Sequence, residues 1–487
     1  MRKRFVSLVL TAVIVMAGCA GNIELAETED TSEPETTADT SVTHGQTESS
    51  APTETTATRG QTESSAPTEL TEPETVAEET SATNGQTESS APTESTTTAA
   101  TTVATTVVTT AVTTVATTAV TTAAPPATTP SSFDITAAQL VANIRVGWNL
   151  GNSLDATDFG DGWLNRSGSV SSLETCWGNP VTTKRNIDDI KKAGFNAIRI
   201  PVSWAKACDK DYNIRADWMA RVKEVVDYAV ANDMYIILNT HHDEEIFKVM
   251  NSGMPETKKA FEKIWKQIAE EFKGYNEKLV FEGLNEPRTK GSSNEWSGGT
   301  AEERNNVNAL NQLFVDTVRA TGGNNSKRIL MIPTYAASGE SSAMNALVIP
   351  KDTVSNKIIV SIHVYSPWEF ALKNDGVSTW DKNKSSDTNP ITSVLDRAYN
   401  LFVSKGVPVI MGEMGTQNRN NTAARAEWAE FYTAYAKSKG IACFWWDNGG
   451  IGTTIKASDP DTFAIYDRRN NKFLFPEIVD ALMRGTS

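Results

Sequence analysis

Two patterns of apolar residues alternate along residues 131–487 of this chain. Short, nearly continuous apolar runs are typical of strands buried on both faces, whereas an apolar residue every three or four positions is typical of helices. The strand candidates are Arg145–Asn152, Ala197–Trp204, Tyr235–His242, Leu279–Pro287, Arg328–Tyr335, Ile358–Pro367, Val407–Gly415 and Ile441–Asn448. The helix candidates are one beginning after Thr182 or Thr183, Asp217–Asn232, Glu256–Lys273, Glu303–Ala320, Ile391–Lys405, Thr422–Lys439 and Pro476–Met483.

Eight successive strand–helix units in about 355 residues predict an α/β fold, specifically a (β/α)8 TIM barrel. A doubly wound sheet is the alternative, but eight units are many for that fold. In a barrel the C-terminal ends of all eight strands meet at one mouth, where catalytic residues lie. The ends of the predicted strands are therefore the places to look for chemistry.

Residues 1–19 have the pattern of a targeting signal. Basic Arg2–Arg4 precede the apolar Phe5–Ala17, which is too short to span a membrane comfortably, and small residues lead to Cys19. The pattern resembles the bacterial lipoprotein signal, whose cysteine becomes lipidated; an ordinary secretory peptide is the alternative. We expect Sec-type export, lipidation at Cys19, and an extracellular, cell-surface lipoprotein that meets the membrane only through its lipid anchor.

Residues 20–130 have a composition that disfavours folding. Residues 20–97 are acidic and contain GQTESSAPTE three times, beginning at Gly45, Gly60 and Gly85, with too few apolar groups to offset the entropy of ordering. Residues 98–130 are rich in Thr, Ala, Val and Pro. We predict a disordered region followed by a stalk-like linker, with an aggregation-prone strand as the alternative for the linker.

The negative charge belongs to this N-terminal region. Residues 20–130 hold 17 acidic residues and one basic residue, which accounts for the chain's net charge of −15 and leaves residues 131–487 nearly neutral. The folded part therefore lacks the basic surface expected of a nucleic-acid-binding protein. Cys176, Cys208 and Cys443 are an odd, widely spaced set that permits at most one disulfide, and buried or incidental thiols are the ordinary interpretation.

Polar and charged residues stand at the ends of seven of the eight predicted strands. A buried charge is costly without a partner or a role, and although one such residue is usually structural, seven converging strand ends indicate a functional site. The residues concerned are Asn152, Arg199, His241, His242, Asn285, Glu286, His363, Tyr365, Glu413 and Trp446.

Two glutamates, Glu286 and Glu413, end the fourth and seventh predicted strands, which lie nearly opposite each other across a barrel mouth. Glycosidic cleavage requires such a pair: one carboxylic acid protonates the leaving oxygen, and a second carboxylate attacks the anomeric carbon or activates water. The gap between them decides between retention, at about 5–5.5 Å, and inversion, at about 6.5–9.5 Å, and the sequence leaves both open.

The neighbouring residues suit that chemistry. We expect Arg199 and Tyr365 to lie beside Glu413 and keep it ionised, and His363 to lie near Glu286 and help set its protonation. Asn285 would hydrogen-bond the sugar 2-hydroxyl.

Aromatic side chains provide candidate sugar contacts. Trp446 would form the floor beneath the sugar at the cleavage point. Trp177 and Trp368 are the preferred stacking platforms, with core packing as the alternative for each.

No metal or other cofactor is expected. His241 and His242 are adjacent, and neighbouring strand residues point to opposite faces, so they should not share one ion. No HExxH, GxSxG, Walker or GxGxxG motif is present in a position that would suggest a different reaction.

Together these segments resemble glycoside hydrolase family 5, the large cellulase family, and most closely its subfamily 4. The resemblance covers Val141–Arg484 and rests on a set of matching segments rather than on one motif. They are GWNLGN with LD at Gly147–Asp155, ETCWGNP at Glu174–Pro180, AIRIPVSW at Ala197–Trp204, ILNTHHD at Ile237–Asp243, FEGLNEPR at Phe281–Arg288, HVYSPW at His363–Trp368, GEMG at Gly412–Gly415 and FWWDNG at Phe444–Gly449.

The resemblance implies a retaining (β/α)8 hydrolase with Glu286 as acid/base and Glu413 as nucleophile. It implies that further site positions are Arg199, His241, Asn285, His363, Tyr365 and Trp446, and that positions binding sugar in some members are Asn152, Asp155 and His242. The implied activity is that of an endo-β-1,4-glucanase acting on soluble cellulose, mixed-linkage β-glucan and, as a further candidate, xyloglucan.

Several alternatives to that activity stay open. A xyloglucanase, a β-mannanase or a xylanase of the same fold would carry a similar set of residues, and a non-catalytic glycan-binding surface protein is the alternative outside enzymes. We expect the catalytic domain, residues 131–487, to be monomeric and to bind β-glucan.

Overall fold

The computed structural model describes residues 133–157, 168–449 and 462–487. The predicted signal, acidic region and linker lie outside these residues. The sheet is a closed barrel of eight parallel strands in sequential order, which confirms the (β/α)8 prediction. Its strands are β1 (Gly147–Leu150), β2 (Ala197–Ile200), β3 (Tyr235–Asn239), β4 (Leu279–Glu282), β5 (Leu330–Ser338), β6 (Ile358–His363), β7 (Val409–Met414) and β8 (Ala442–Asp447).

Helices cover the outside of the barrel, and a short antiparallel hairpin follows it. The helices are α1 (Ala137–Asn143), α2 (Val170–Glu174), α3 (Lys184–Lys192), α4 (Ala216–Ala231), α5 (Met254–Glu271), α6 (Ala301–Ala320), α7 (Ser341–Ala346), α8 (Trp368–Ala371), α9 (Ser385–Leu401), α10 (Thr422–Ser438) and α11 (Pro476–Gly485). The hairpin pairs β9 (Tyr466–Asp467) with β10 (Lys472–Phe473). No helix among the described residues has both the length and the apolar character needed to cross a membrane.

Element boundaries follow local capping chemistry that periodicity alone does not reveal. Helix α6 begins two residues before its predicted start because Thr300 and Glu303 form a capping box, each side chain bonding the backbone N–H of the other residue. Helix α9 begins at Ser385 rather than at the predicted Ile391, and it contains Pro390. Cys208 and Cys443 are buried thiols, in agreement with the ordinary interpretation of those two residues.

The barrel interior is built in layers because side chains alternate along each strand. A lower apolar layer packs on α1 and closes the bottom of the barrel; it consists of Ala197, Ile237, Val280, Met331, Ile359, Ile410 and Phe444. Two positions further along the strands, a polar layer faces the mouth; we define it as Asn149, Arg199, Asn239, Glu282 and Ser361. The barrel interior therefore changes from apolar to polar within two residues along each of these strands.

Arg468, which follows the hairpin strand β9, joins the end of β8 to the loop after β1. Its guanidinium donates to the carbonyl oxygen of Gly151 at 2.7 Å, to Oγ of Ser153 at 2.9 Å and to Oδ1 of Asp447 at 3.0 Å. Asp447 in turn accepts from Nε1 of Trp148 at 3.1 Å. Because all of these groups are buried, the contacts fix the two strand ends that border the barrel mouth.

Replacing Arg468 by Met should lower the free energy of unfolding by about 3 kcal/mol, because Asp447 is left as a buried carboxylate without its cation. Arg469 is the matched control: it is the next residue and its side chain is exposed. Its replacement by Met should change the free energy of unfolding by less than about 0.5 kcal/mol. Denaturant unfolding of the two variants measures the difference, and equal losses would contradict this account of the β8 end.

Candidate active site

The candidate site residues lie at or just beyond the C-terminal ends of the strands. Arg199, His363, Glu413 and Trp446 are in β2, β6, β7 and β8. Apart from Trp368, which begins α8, the remaining ones stand in loops, since β3 ends at Asn239 and β4 at Glu282, both earlier than predicted. The predicted strands were too long because they included the polar residues that follow each apolar run, where pairing between strands has already ended.

Glu413 is held by two donors from different strand ends. Nη1 of Arg199 donates to Oε1 of Glu413 at 2.8 Å, and the phenol of Tyr365 donates to Oε2 at 2.8 Å. Burial, followed by the charge of Glu413, raises the pKa of Tyr365 well above its ordinary value, so the phenol keeps its proton. The structure thus places both expected partners on Glu413, one on each oxygen.

Glu286 has a different environment. Nδ1 of His363 lies 2.9 Å from Oε1 of Glu286, and Nη1 of Arg288 lies 3.5 Å from its Oε2. Burial acts to raise the pKa of Glu286, but the His363 hydrogen bond and charge, followed by Arg288 and His242, lower it below its ordinary value. The side chain is also more open to the cleft than that of Glu413, at 16% exposed against 7%.

His363 lies between the two carboxylates. Its Nδ1 is 2.9 Å from Oε1 of Glu286 and 3.7 Å from Oε1 of Glu413. A ring nitrogen of His363 and one oxygen of each glutamate all lie within 4.8 Å of one another. The two carboxyl groups therefore approach closely across the mouth, at a distance that the sequence prediction had left open.

Arg199 is completely buried and bonds four side chains at once. Its Nε donates to Oε2 of Glu282 at 2.7 Å, Nη1 donates to Oδ1 of Asn149 at 3.1 Å as well as to Glu413, and Nη2 donates to Oδ1 of Asn285 at 2.8 Å. Because Asn285 accepts from Arg199 through its oxygen, its amide nitrogen points away from the guanidinium and can donate to a ligand.

Glu282 is a charged member of the site that the sequence prediction did not single out. It lies inside the apolar run Leu279–Pro287, where it was taken as part of a strand. The sequence could have indicated Glu282 through its position two residues after Val280, because residues two apart on a strand share a face and Val280 faces the barrel interior. A charge on that face requires a buried partner, and Arg199 is the one found.

An aromatic cluster lines one side of the mouth. The ring of His241 stacks parallel to Trp446 at 5.7 Å between centroids, and the ring of His242 lies edge-on to His241 at 4.4 Å and tilted to Trp177 at 5.4 Å. Asp155 completes the cluster, 3.9 Å from Nε2 of His242. The structure thus brings together these five predicted sugar-contacting residues.

The expectation that His241 and His242 point to opposite faces is wrong. Strand β3 ends at Asn239, so the alternation of side chains along a strand no longer applies to these two residues. A ring nitrogen of each histidine and one oxygen of Asp155 lie within 4.8 Å of one another. This spacing fits a metal ion. However, Asp155 already accepts backbone N–H groups of Asn152 and Ser153 at 3.0 and 2.8 Å.

Protonation also distinguishes His241. Burial, and then the charge of His242, lowers the pKa of His241 well below its ordinary value, so this imidazole is neutral. Nδ2 of Asn239 lies 3.1 Å from Nδ1 of His241 and is a donor, which places the ring proton on Nε2.

The remaining aromatic and polar candidates lie further out. Trp368 begins α8 and is 41% exposed, with Nζ of Lys373 5.4 Å from its ring centroid. Trp296 is 44% exposed and packs against the guanidinium of Arg288 at 4.5 Å. Asn152 follows β1 in a left-handed conformation with φ 57°. Exposed aromatic faces of this kind can stack on flat apolar ligand surfaces.

Relatives of known name share this domain. The chain is 42% identical over 356 residues to "Endoglucanase A" of Clostridium longisporum, an alignment that covers 72% of this chain and 66% of that protein. It spans 41% of the length of a second curated relative, "Cellulase/esterase CelE" of Acetivibrio thermocellus, at 45% identity and 72% coverage of this chain. The chain therefore spans two thirds or less of the length of these two relatives.

Solved structures agree with the sequence relatives. A "GH5-4 broad specificity endoglucanase" from Ruminococcus champanellensis with bound cellotriose is 44% identical, with a TM-score of 0.68, and the match covers 73% of this chain and all of that one. The model of the family "Cellulase (glycosyl hydrolase family 5)" matches residues 159–452. The chain, with its eight-stranded barrel and paired glutamates, belongs to glycoside hydrolase family 5.

Proposed function

We propose that the protein is a retaining endo-β-1,4-glucanase in which Glu413 is the nucleophile and Glu286 the acid/base. The observation that carries the proposal is the short distance between the carboxyl groups: one oxygen of Glu286 and one oxygen of Glu413 lie within 4.8 Å of each other. Retaining glycosidases have about 5–5.5 Å between their carboxyl groups, whereas inverting ones leave about 6.5–9.5 Å for a water molecule.

The unequal environments of the two glutamates support Glu413 as nucleophile and Glu286 as acid/base. Glu413 has a guanidinium on one oxygen and a phenol on the other, so its ionised form is stabilised and ready to attack. Glu286 is paired through one hydrogen bond with a second titratable group, His363, and the pair can hold a proton between them. The environment of Glu286, unlike that of Glu413, suits a group that must give up a proton and later take one back.

In the first step, an oxygen of Glu413 forms a bond to the anomeric carbon while the glycosidic C–O bond breaks. The electron pair of that bond goes to the leaving oxygen, which takes the proton from Glu286. In the second step, a water oxygen bonds to the anomeric carbon, its proton goes to Glu286, and Glu413 departs as a carboxylate with the electron pair of the ester bond. Two inversions give net retention.

The cluster beside the catalytic pair suits a β-glucan. Trp446 and Trp177 offer flat apolar faces, while Asp155, His242 and Nδ2 of Asn285 supply the hydrogen-bonding groups that hydroxyls require. The relatives named above are called endoglucanases, and the Ruminococcus champanellensis enzyme is described as having broad specificity. We infer soluble cellulose and mixed-linkage β-glucan as substrates, with xyloglucan as a further candidate.

We also propose that the protein acts at the cell surface. Cys19 follows a basic and then an apolar segment, and the acidic region and linker after it supply a long spacer between a lipid anchor and the barrel.

The role of each carboxylate can be read from azide rescue. Replacing Glu413 or Glu286 by Ala should lower kcat on β-glucan by about a thousandfold or more, because each removes one half of the chemistry. With 2,4-dinitrophenyl β-cellobioside and azide, Glu413→Ala should give the α-glycosyl azide and Glu286→Ala the β-glycosyl azide. Exchange of these products would reverse the assignment. Glu262→Gln, an exposed carboxylate on α5, is the control and should keep wild-type activity.

The His363 contact makes a prediction about acid stability. Because the pKa of Glu286 is lower in the fold than its ordinary value of 4.5, the ionised group stabilises the fold above that pH, and the contribution disappears as the pH falls through the folded pKa. His363→Gln removes the main cause of this lowering. The variant should therefore lose more stability at pH 5.5 than at pH 3.5, by about 1.4 kcal/mol for each pKa unit restored.

Unfolding of wild type and His363→Gln at both pH values measures this difference. The same comparison in a Glu286→Gln background is the control, because it removes the Glu286 carboxyl group but keeps the 3.7 Å contact of His363 with Glu413; the part of the pH dependence that it abolishes belongs to Glu286. A pH-independent loss of stability would mean that His363 does not act on Glu286.

The anchor and spacer should be separable from catalysis. A fragment beginning at Ser131 and the full chain with Cys19→Ser should both hydrolyse soluble β-glucan with kcat/KM within about twofold of wild type, since every proposed catalytic and sugar-binding residue follows Ser131 in the sequence. In a bacterial host that processes lipoproteins, Cys19→Ser should leave the membrane fraction while wild type remains there. Equal partitioning of the two full-length proteins would rule out the lipid anchor.

A further inference from the structure

Glu282 is a third carboxylate beneath the catalytic pair, and the two-step reaction does not use it. It is completely buried in the polar layer, and its carboxylate accepts three hydrogen bonds: from Nε of Arg199 at 2.7 Å, from Nδ2 of Asn239 at 3.0 Å and from Oγ of Ser361 at 2.7 Å. All three partners belong to the polar layer inside the barrel, so Glu282 lies beneath the residues that face the cleft.

Hydrogen bonding alone does not require a carboxylate at this position. A glutamine amide could accept from Arg199 and Asn239 through its oxygen, and its nitrogen could donate to Ser361, whose hydroxyl is able to turn and accept. Burying a charge costs several kcal/mol even when the charge is paired. The property that glutamine would not supply is the negative charge next to Arg199.

The charge on Arg199 must be balanced in two different states of the enzyme. In the free enzyme its guanidinium lies between two carboxylates, Glu282 and Glu413. Burial by itself would lower the pKa of Arg199, but the charge of Glu282, followed by that of Glu413, raises it above its ordinary value. When Glu413 becomes a glycosyl ester it is neutral, and among the residues that the structure describes Glu282 is then the one carboxylate still bonded to this buried cation.

We propose that Glu282 is a positioning residue that serves as the permanent counter-charge of Arg199 and thereby stabilises the covalent intermediate formed on Glu413. The inference rests on the proposed role of Glu413 as nucleophile. With Glu282 in place, the cation shares its charge between two carboxylates, so Glu413 is ionised but still reactive. Once Glu413 is esterified, Arg199 and Glu282 remain as a neutral buried pair.

The proposal predicts effects of opposite sign on the two chemical steps. Without the charge of Glu282, Arg199 interacts with Glu413 alone. Forming the ester then separates the only ion pair, which should slow the first step. Releasing Glu413 as a carboxylate restores the pair, which should accelerate the second step. A loss of packing or misplacement of groups would slow both steps.

The two steps can be measured separately with 2,4-dinitrophenyl 2-deoxy-2-fluoro-β-cellobioside. An oxygen of Glu413 bonds to the anomeric carbon, and dinitrophenolate leaves with the electron pair, so the burst of colour and loss of activity report the first step without a general acid. Recovery of activity in buffer reports the second step: a water oxygen bonds to the anomeric carbon, its proton goes to Glu286, and the ester bond to Glu413 breaks with its electron pair left on the carboxylate. Intact mass and peptide mapping identify the labelled residue.

Glu282→Gln should be inactivated about tenfold more slowly than wild type and should reactivate about threefold faster. Ser361→Ala is the matched control, because it removes one hydrogen bond to Glu282 but leaves the charge. Any change it causes should have the same direction in both steps. Thermal unfolding of each variant measures the accompanying change in stability.

Unchanged rate constants in Glu282→Gln, or slowing of both steps, would overturn the proposal, as would an opposite-sign effect in Ser361→Ala. If Glu282→Gln does not fold, Glu282→Asp carries the same test: it keeps the charge but withdraws it from Arg199, and at least about a twofold change of each sign is expected. Wild type provides the separate test of the proposed function. Failure to label Glu413 there would remove the proposed function, whereas labelling with unaltered variant kinetics would remove only this inference.

Discussion

The structure depends on a cation buried inside the barrel. Arg199 has no exposed surface, and its guanidinium bonds carboxylates on β4 and β7 together with amides on β1 and after β4. A buried guanidinium is tolerated only when its donors and its charge are satisfied, so the surrounding strands must hold their register. The same contacts orient Glu413 and Asn285. A single requirement of burial therefore fixes both the barrel interior and the groups that face the mouth.

The period of two along the strands explains how this cation comes to lie beneath the cleft. One inward layer is apolar and rests on α1, and the next inward layer is polar and supports the catalytic pair. Because the strands are parallel and their ends meet at one mouth, each polar position is close to several others that are distant in sequence. Arg199 and Glu413 are 214 residues apart and yet form a 2.8 Å contact.

Much of this arrangement was predictable from the sequence, because strand ends in a barrel converge. The eight strands, the opposed glutamates and the partners of Glu413 followed from that rule. Two features did not. Glu282 lies within an apolar run and was hidden by it, and the strand alternation assumed for His241 and His242 failed because β3 ends at Asn239. Where a strand stops depends on hydrogen bonds between strands, which the apolar pattern of one segment does not record.

The two glutamates differ in how the fold treats their charge. Glu413 accepts hydrogen bonds from two fixed donors, whereas Glu286 has His363 as its neighbour and an opening to the cleft. This asymmetry and the close approach of the carboxyl groups are the basis for the proposed retention of configuration. Proton NMR of the products released in the first minutes of β-glucan hydrolysis tests it most directly. The account predicts that the β-anomer appears first and then mutarotates, and initial release of the α-anomer would contradict it.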